Sequence, residues 1–179
     1  VLVIAGYASL DRVIRFLAGR DYAPGGQVRI LFGNEPFASK RDTWKLSGDR
    51  LEDEVRDYWL ERGISVLRSG DIVRVKQVLD VADIQIRTAS GNRPVHAKIY
   101  VSPQALTLGS SNYTDNGLAG QSEANVRFLV GTPQYKEARL LAEGIWDGGA
   151  DYREEFLRLL DALLKAVTWQ EALARACAA

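Results

Sequence analysis

Apolar residues recur in two rhythms along the chain, and the switches between them mark out its elements. Residues 1–6 (VLVIAG) are an unbroken run rich in β-branched side chains, the pattern of a buried strand. Leu10, Val13, Ile14 and Leu17 then recur at helical spacing, behind Ser9 as an N-cap and ahead of Gly19 as a stop. Residues 27–33 (QVRILFG) read as a second strand, so the chain opens as a strand–helix–strand unit whose strands are expected to be parallel.

Residues 34–48, with Gly, Pro, Ser and Asn, read as a long surface connection carrying Lys40, Arg41 and Lys45. An amphipathic helix is expected over 49–63, a third strand over 64–68 (ISVLR), a helix over 72–82 and a short alternating strand over 84–88 (IQIRT). After a turn at 90–94 come 95–101 (VHAKIYV) and 105–109 (ALTLG), the arms of a hairpin joined at Ser102-Pro103. Residues 116–120 read as a loop and 124–131 (ANVRFLVG) as the last strand. Beyond Thr132-Pro133 the pattern is wholly helical, over 134–146 and 151–166, with Thr168 capping a last short segment. The sum is a layered α/β fold, a mixed β-sheet of about seven strands flanked by helices. One domain is expected over 1–150, with 151–179 as a C-terminal helical extension and candidate linker to a further domain.

Composition narrows the function classes. At 179 residues, 46% hydrophobic and 26% charged, the chain has enough apolar material for a real core, and disordered and fibrous classes are out. One Cys and one His build neither an intrachain disulfide nor a Cys/His zinc site, and no metal or cofactor is expected. No apolar run reaches about 18 residues, so no membrane span is expected. The opening VLVIAGY has no basic stretch before it, so a secretory leader is not expected and a cytoplasmic location is. A core strand at Val1 is what a piece of a longer protein would show. Trp44, Trp59, Trp146 and Trp169 read as packing anchors, and Cys177 as an inert thiol.

With 23 basic and 23 acidic residues the chain has no global pull on anions, so any anion site must be local. One stretch qualifies: from Ile84 to Thr114 there is no Asp or Glu, while Arg87, Arg93 and Lys98 are all present. Within it, His96 and Lys98 are two apart, which on a strand puts imidazole and ammonium on one face. An imidazole beside a fixed cation suits phosphate-ester chemistry, because the cation offsets charge growing on the non-bridging oxygens. The same spacing also occurs in ordinary surface pairs. Gly109-Ser110-Ser111-Asn112 offers close backbone approach and neutral donors for phosphate oxygens, or else a polar turn. Glu123, just before the last strand, is either a carboxylate that orients the imidazole or an exposed acid at a strand start.

His96-x-Lys98, Gly109-Ser110-x-Asn112 and Glu123 at the entry to a strand together resemble the signature of the phospholipase D superfamily. The strand–helix–strand opening and the order of elements to about Trp146 resemble its single-motif members, chiefly bacterial endonucleases. The resemblance implies a covalent phosphohistidine on His96, phosphate oxygens held by Lys98 and Asn112 with Ser110, and Glu123 orienting His96. It implies no metal, and a homodimer whose active site lies across the two-fold axis. The implied activity is that of a metal-independent phosphodiesterase, a DNA endonuclease domain, as a module of a larger restriction, repair or helicase-linked protein. Arg87, Arg93 and Tyr113 are then expected to contact nucleic acid, the arginines on its backbone and Tyr113 by stacking. One departure stands out: the family motif carries an Asp five residues after the Lys, where this chain has Pro103 behind Ser102. Two other readings follow, a catalytically degenerate module that binds nucleic acid or only dimerises, and a lipid phosphodiesterase.

Overall fold

Neighbouring residues of a strand are committed to opposite faces, and here that alternation builds two cores on one sheet. The computed structural model describes residues 1–22, 26–33, 66–89 and 95–165. Within them the strands are β1 (Leu2–Ala5), β2 (Val28–Phe32), β3 (Ile84–Ala89), β4 (Lys98–Val101), β5 (Ala105–Gly109), β6 (Asn125–Leu129) and β7 (Gly149–Asp151). They form one mixed sheet in the order β6-β5-β4-β1-β2-β3-β7. β1, β2 and β3 run parallel, as the opening pattern predicts, and the other pairings are antiparallel. Among the described residues the helices are α1 (Leu10–Ala18), α2 (Val66–Val81), α3 (Pro133–Asp147) and α4 (Arg153–Lys165), and a single wide helical turn stands at Asn116–Gly120, where the sequence reads as a loop.

Val3, Ala5, Val28, Ile30, Phe32, Ile84 and Ile86 point to one face and pack under α1, α2 and α4. Leu2, Ile4, Leu31, Ile99, Val101 and Leu106 point to the other, under Ala138, Ala142 and Trp146 of α3. Local signals start the helices where expected. Ser9 Oγ accepts from the Arg12 N–H at 3.4 Å, and the Gly19 N–H closes α1 on the Arg15 carbonyl at 2.9 Å. Thr132 caps α3 by accepting from the Tyr135 N–H, with Pro133 at the first helical position. Among the described residues, no helix is long and apolar enough to cross a membrane.

Three expectations are corrected. The strand read over 64–68 is overturned in its described part, since Val66 opens α2. The sheet shows why: β2 and β3 are already neighbours and the outer side of β3 is taken by β7, so no slot is open beside either of them, whereas a helix satisfies its own backbone. Ile72, Val75 and Leu79 give α2 a buried stripe at helical spacing. Second, the chain beyond Pro133 is not wholly helical. Gly149–Asp151 is a strand recruited by the open edge of β3, pairing Arg87 with Asp151 and Ala89 with Gly149, and three residues are too few to show a rhythm. Third, position 150 divides nothing. Phe156, Leu159, Leu160 and Leu163 of α4 are at most 1% exposed inside the first core, so residues 151–165 belong to the same unit. The expectations over 34–63, 64–65, 90–94 and 166–179, with Lys40, Arg41, Lys45, Arg93, Trp44, Trp59, Trp169 and Cys177, lie outside the described residues.

Candidate active site

Because β4 runs antiparallel to β1, and β5 antiparallel to β4, the carboxyl ends of β1, β2 and β5 meet the amino ends of β4 and β6 along one edge. All four residues expected to be catalytic lie on this edge. The stretch 95–97 leads into β4 as extended chain rather than strand, and it is pinned from below: the Gly6 N–H donates to the Ala97 carbonyl at 2.7 Å. Two glycines make that approach possible. A Cβ on Gly6 would sit 2.8 Å from His96 Cα, and one on Gly33 would overlap the Val95 carbonyl oxygen.

On this support His96 is exposed and Lys98 is buried, 5% accessible. The Lys98 Nζ lies 2.8 Å from His96 Nε2 and 3.1 Å from Nδ1, and donates to the His96 carbonyl at 3.0 Å. The lone pairs of an imidazole point apart in the ring plane, so one ammonium cannot serve both nitrogens. The pair is in contact, with a ring nitrogen left over for other chemistry. Burial pushes the Lys98 ammonium below the usual lysine range, and the negative charge of Glu123 acts against that shift.

The second part of the site is the turn after β5. Ser111 is buried; its Oγ accepts from Asn125 Nδ2 at 2.8 Å and its carbonyl from the Tyr100 hydroxyl at 2.6 Å. Tyr113 forms a parallel bridge with Ala8, its N–H donating to Tyr7 and its carbonyl accepting from Ser9, both at 3.1 Å. The turn is thereby tied to the end of β1 and the start of α1. Asp115, just beyond, pairs with Arg12 and Arg15 of α1. Between these anchors, Asn112 Oδ1 is buried without a hydrogen-bond partner among the described residues.

Glu123 is not where the sequence reading expects it. Its carboxylate accepts from the Ser110 hydroxyl and the Gln121 amide, not from His96. Those two bonds, Ser110 first, hold its carboxyl below the usual range, helped by the Lys98 charge. Ser110 is correspondingly occupied, since its Oγ also accepts from the Ala124 N–H at 3.0 Å. The nucleic-acid contacts need correction too. The Tyr113 ring is 6% exposed, edge-on to Phe16 at 6.0 Å, against Tyr100 at 5.8 Å and under Arg12 at 5.7 Å, so it packs rather than stacks on a base. Burial raises its hydroxyl pKa. Arg87 donates to the Trp146 carbonyl at 2.8 Å and lies 4.5 Å over the indole ring, on the face covered by α3. Arg29 covers the same ring at 5.2 Å, which makes Trp146 the packing anchor its type predicts.

Position 103 explains itself by place. Pro103 lies in the hairpin turn beyond the far end of β4, seven residues from His96. At about 3.3 Å per residue that is roughly 20 Å of strand, out of reach of any group bound at His96. There the Ser102 Oγ accepts from the Gln104 and Ala105 N–H groups at 3.3 and 3.1 Å, the turn-closing bonds an Asp also makes. Sequence reasoning missed Gly6, Gly33, Tyr100 and Asn125, which position the site, and read Ser111 as a phosphate donor where it is a buried anchor of the turn. Asn125, two residues past Glu123 at a strand entry, was the one with a local signal. Among the described residues, no three His, Cys, Asp or Glu converge as a metal would need.

No family model matches the chain, and no curated protein does. Two solved structures are similar in overall chain path. One is a phospholipase D family member, Nuc from Salmonella typhimurium, 19% identical, with 84% of this chain and 80% of that one covered at a TM-score of 0.46. The other is NucT from Helicobacter pylori, 11% identical over the same shares at a TM-score of 0.42. Likeness at this level does not speak to any single residue.

Proposed function

We propose that this chain is a phosphodiesterase that works by histidine-centred phosphoryl transfer without a metal ion, with DNA as its substrate, and that it acts as a two-fold dimer. The observation that carries the reading is an exposed imidazole touching a buried ammonium, 2.8 Å apart, on the sheet edge that also holds Asn112. A free ring nitrogen of His96 attacks phosphorus; the P–N bond forms as one P–O ester bond breaks. Lys98 and the Asn112 amide take up the charge on the non-bridging oxygens, a preorganised arrangement that costs no rearrangement at the moment of reaction. The leaving oxygen needs a proton in the same step, and an imidazole bonded to phosphorus cannot also supply it. The chain holds one histidine, so the acid is the imidazolium of a second copy's His96, brought opposite by an isologous interface. That second imidazole, now neutral, takes a proton from water as the water oxygen attacks phosphorus and the P–N bond breaks.

A module that binds without turnover is the second reading, and one observation favours it: with Glu123 bonded to Ser110 and Gln121, His96 has no carboxylate among the described residues to fix its tautomer. Hydrolysis of bis(p-nitrophenyl) phosphate in EDTA separates the two. Turnover that persists in EDTA and falls roughly a thousandfold or more in His96→Ala supports the enzyme. DNA binding without turnover, indifferent to that substitution, supports the module.

A further inference from the structure

We propose that Arg127, on the uncovered face of β4–β6, holds a phosphate flanking the one at His96, so that the substrate is a chain of phosphodiesters rather than a lipid carrying one. The inference rests on the phosphodiesterase reading and goes beyond it in naming what lies outside the reacting bond.

Strand register carries the argument. Tyr100 of β4 pairs with Thr107 of β5, and Thr107 with Arg127 of β6, so these three side chains form one row across one face. Lys98 and Asn125 lie two residues back on their strands and therefore share that face. Arg127 is thus two strands over from Lys98 and one pleat along. At about 4.8 Å per strand and 3.3 Å per residue, the two Cα atoms are roughly 12 Å apart. Among the described residues this face is bare beyond Tyr100, because α1, α2 and α4 pack on β1–β3, and Asn125, Arg127 and Leu129 are all exposed.

Besides Lys98 and Arg87, the described bases without an ion pair are Arg20, Lys136, Lys165 and Arg127, and of these it is Arg127 whose register puts it on the face of Lys98. Arg12 and Arg15 are engaged with Asp115, Arg29 with Glu143 and Arg87 with the Trp146 carbonyl. The Arg127 guanidinium has no hydrogen bond or ion pair among the described residues. A solvated guanidinium on the face where Lys98 emerges is presented to a polyanion running across that face, and a fork of donors suits phosphate oxygens. A phospholipid offers one phosphodiester and would leave Arg127 idle.

The test pairs Arg127→Ala with Arg127→Lys and reads two substrates. Binding of a short labelled DNA strand, followed by fluorescence anisotropy over a salt series, is expected to weaken about three- to tenfold in Arg127→Ala, with the log–log salt slope reduced by about 0.7. Arg127→Lys keeps the slope. Hydrolysis of bis(p-nitrophenyl) phosphate is expected to stay at the wild-type rate in both. Unchanged DNA affinity and slope overturn the proposal, as do equal losses on both substrates or a shift in the monomer–dimer balance by sedimentation, which would make Arg127 an interface residue. If wild-type protein cleaves neither substrate, the phosphodiesterase reading fails, while the anisotropy series still decides whether Arg127 holds a backbone phosphate.

Discussion

The two halves of the sheet are built differently. β1–β3 are covered on the first face by α1, α2 and α4, and the residues beneath those helices are almost wholly inaccessible: Ala5, Ile30, Phe32 and Ile86 are all 0% exposed. Among the described residues β5 and β6 are covered by α3 on the second face alone, and β6 is an edge strand with Val126 and Leu129 more than half exposed. β4 is the border between them. His96 and Lys98 hang from the covered half through Gly6 and Gly33, whereas Ser110, Glu123 and Asn125 come from the open half. On the reading proposed above, the difference separates two tasks. A nucleophile needs a fixed place, which dense packing provides, while groups that meet a large substrate must stay at a surface.

The comparison breaks most visibly through stability. Phe156→Ala empties a 0%-exposed site in the first core against Phe32 and is expected to cost about 3–5 kcal/mol in chemical denaturation. Leu129→Ala, on the open half, is expected to change stability by less than about 0.5 kcal/mol. Comparable losses would mean that something covers β6 or that α4 is dispensable, and either would erase the contrast between the halves.

A smaller effect sharpens the border itself. Lys98 has its pKa lowered mainly by burial. A lysine shifted down on folding weighs against the folded state while both states are protonated, and stability rises with pH between the folded and the unfolded value. Lys98→Met keeps the length and removes the buried charge. It is expected to raise Tm at neutral pH while lowering phosphodiester hydrolysis by about a hundredfold or more. A fall in Tm would show that the ammonium supports the fold through the His96 carbonyl more than burial opposes it.

The covered half was legible in the sequence because its elements are periodic over several residues each. The run at 1–6, the 10-13-14-17 spacing and the caps Ser9 and Gly19 agree with one another, and the strands they predict pair as expected. The His96–Lys98 contact was legible for a similar reason, since extended chain puts residues two apart on one side whether or not it counts as strand. What lay hidden depends on neighbours distant in sequence. Arg87 sits in the acid-free stretch and looks like an anion contact, but parity turns it toward α3 and Trp146, while Arg127, in a strand ending among exposed apolar residues, shares the sheet face of Lys98. Tyr113 follows Asn112 and looks free to stack, but the bridge to Ala8 folds it inward. Glu123 was matched with the imidazole by chemistry alone, and the shorter route to Ser110, across the β5–β6 ladder, wins.

That competition gives the finest prediction. Glu123 has its pKa lowered, first by the Ser110 hydroxyl, next by Gln121, and last by Lys98 after a small opposing effect of burial. A carboxylate depressed on folding adds stability above its unfolded pKa and loses it as pH falls through the folded value, so the contribution is present at neutral pH and fades only in acid. Ser110→Ala removes the leading cause. The Glu123 titration, followed by carboxyl NMR, is expected to move up toward the ordinary range, with Tm at neutral pH nearly unchanged because the group is at the surface. The same variant frees the carboxylate to meet His96. A gain in turnover would then identify the Ser110 bond as a resting arrangement that substrate displaces. A loss would mean that Ser110 serves the phosphate directly, and no change at all would leave Glu123 with an electrostatic role on Lys98 alone.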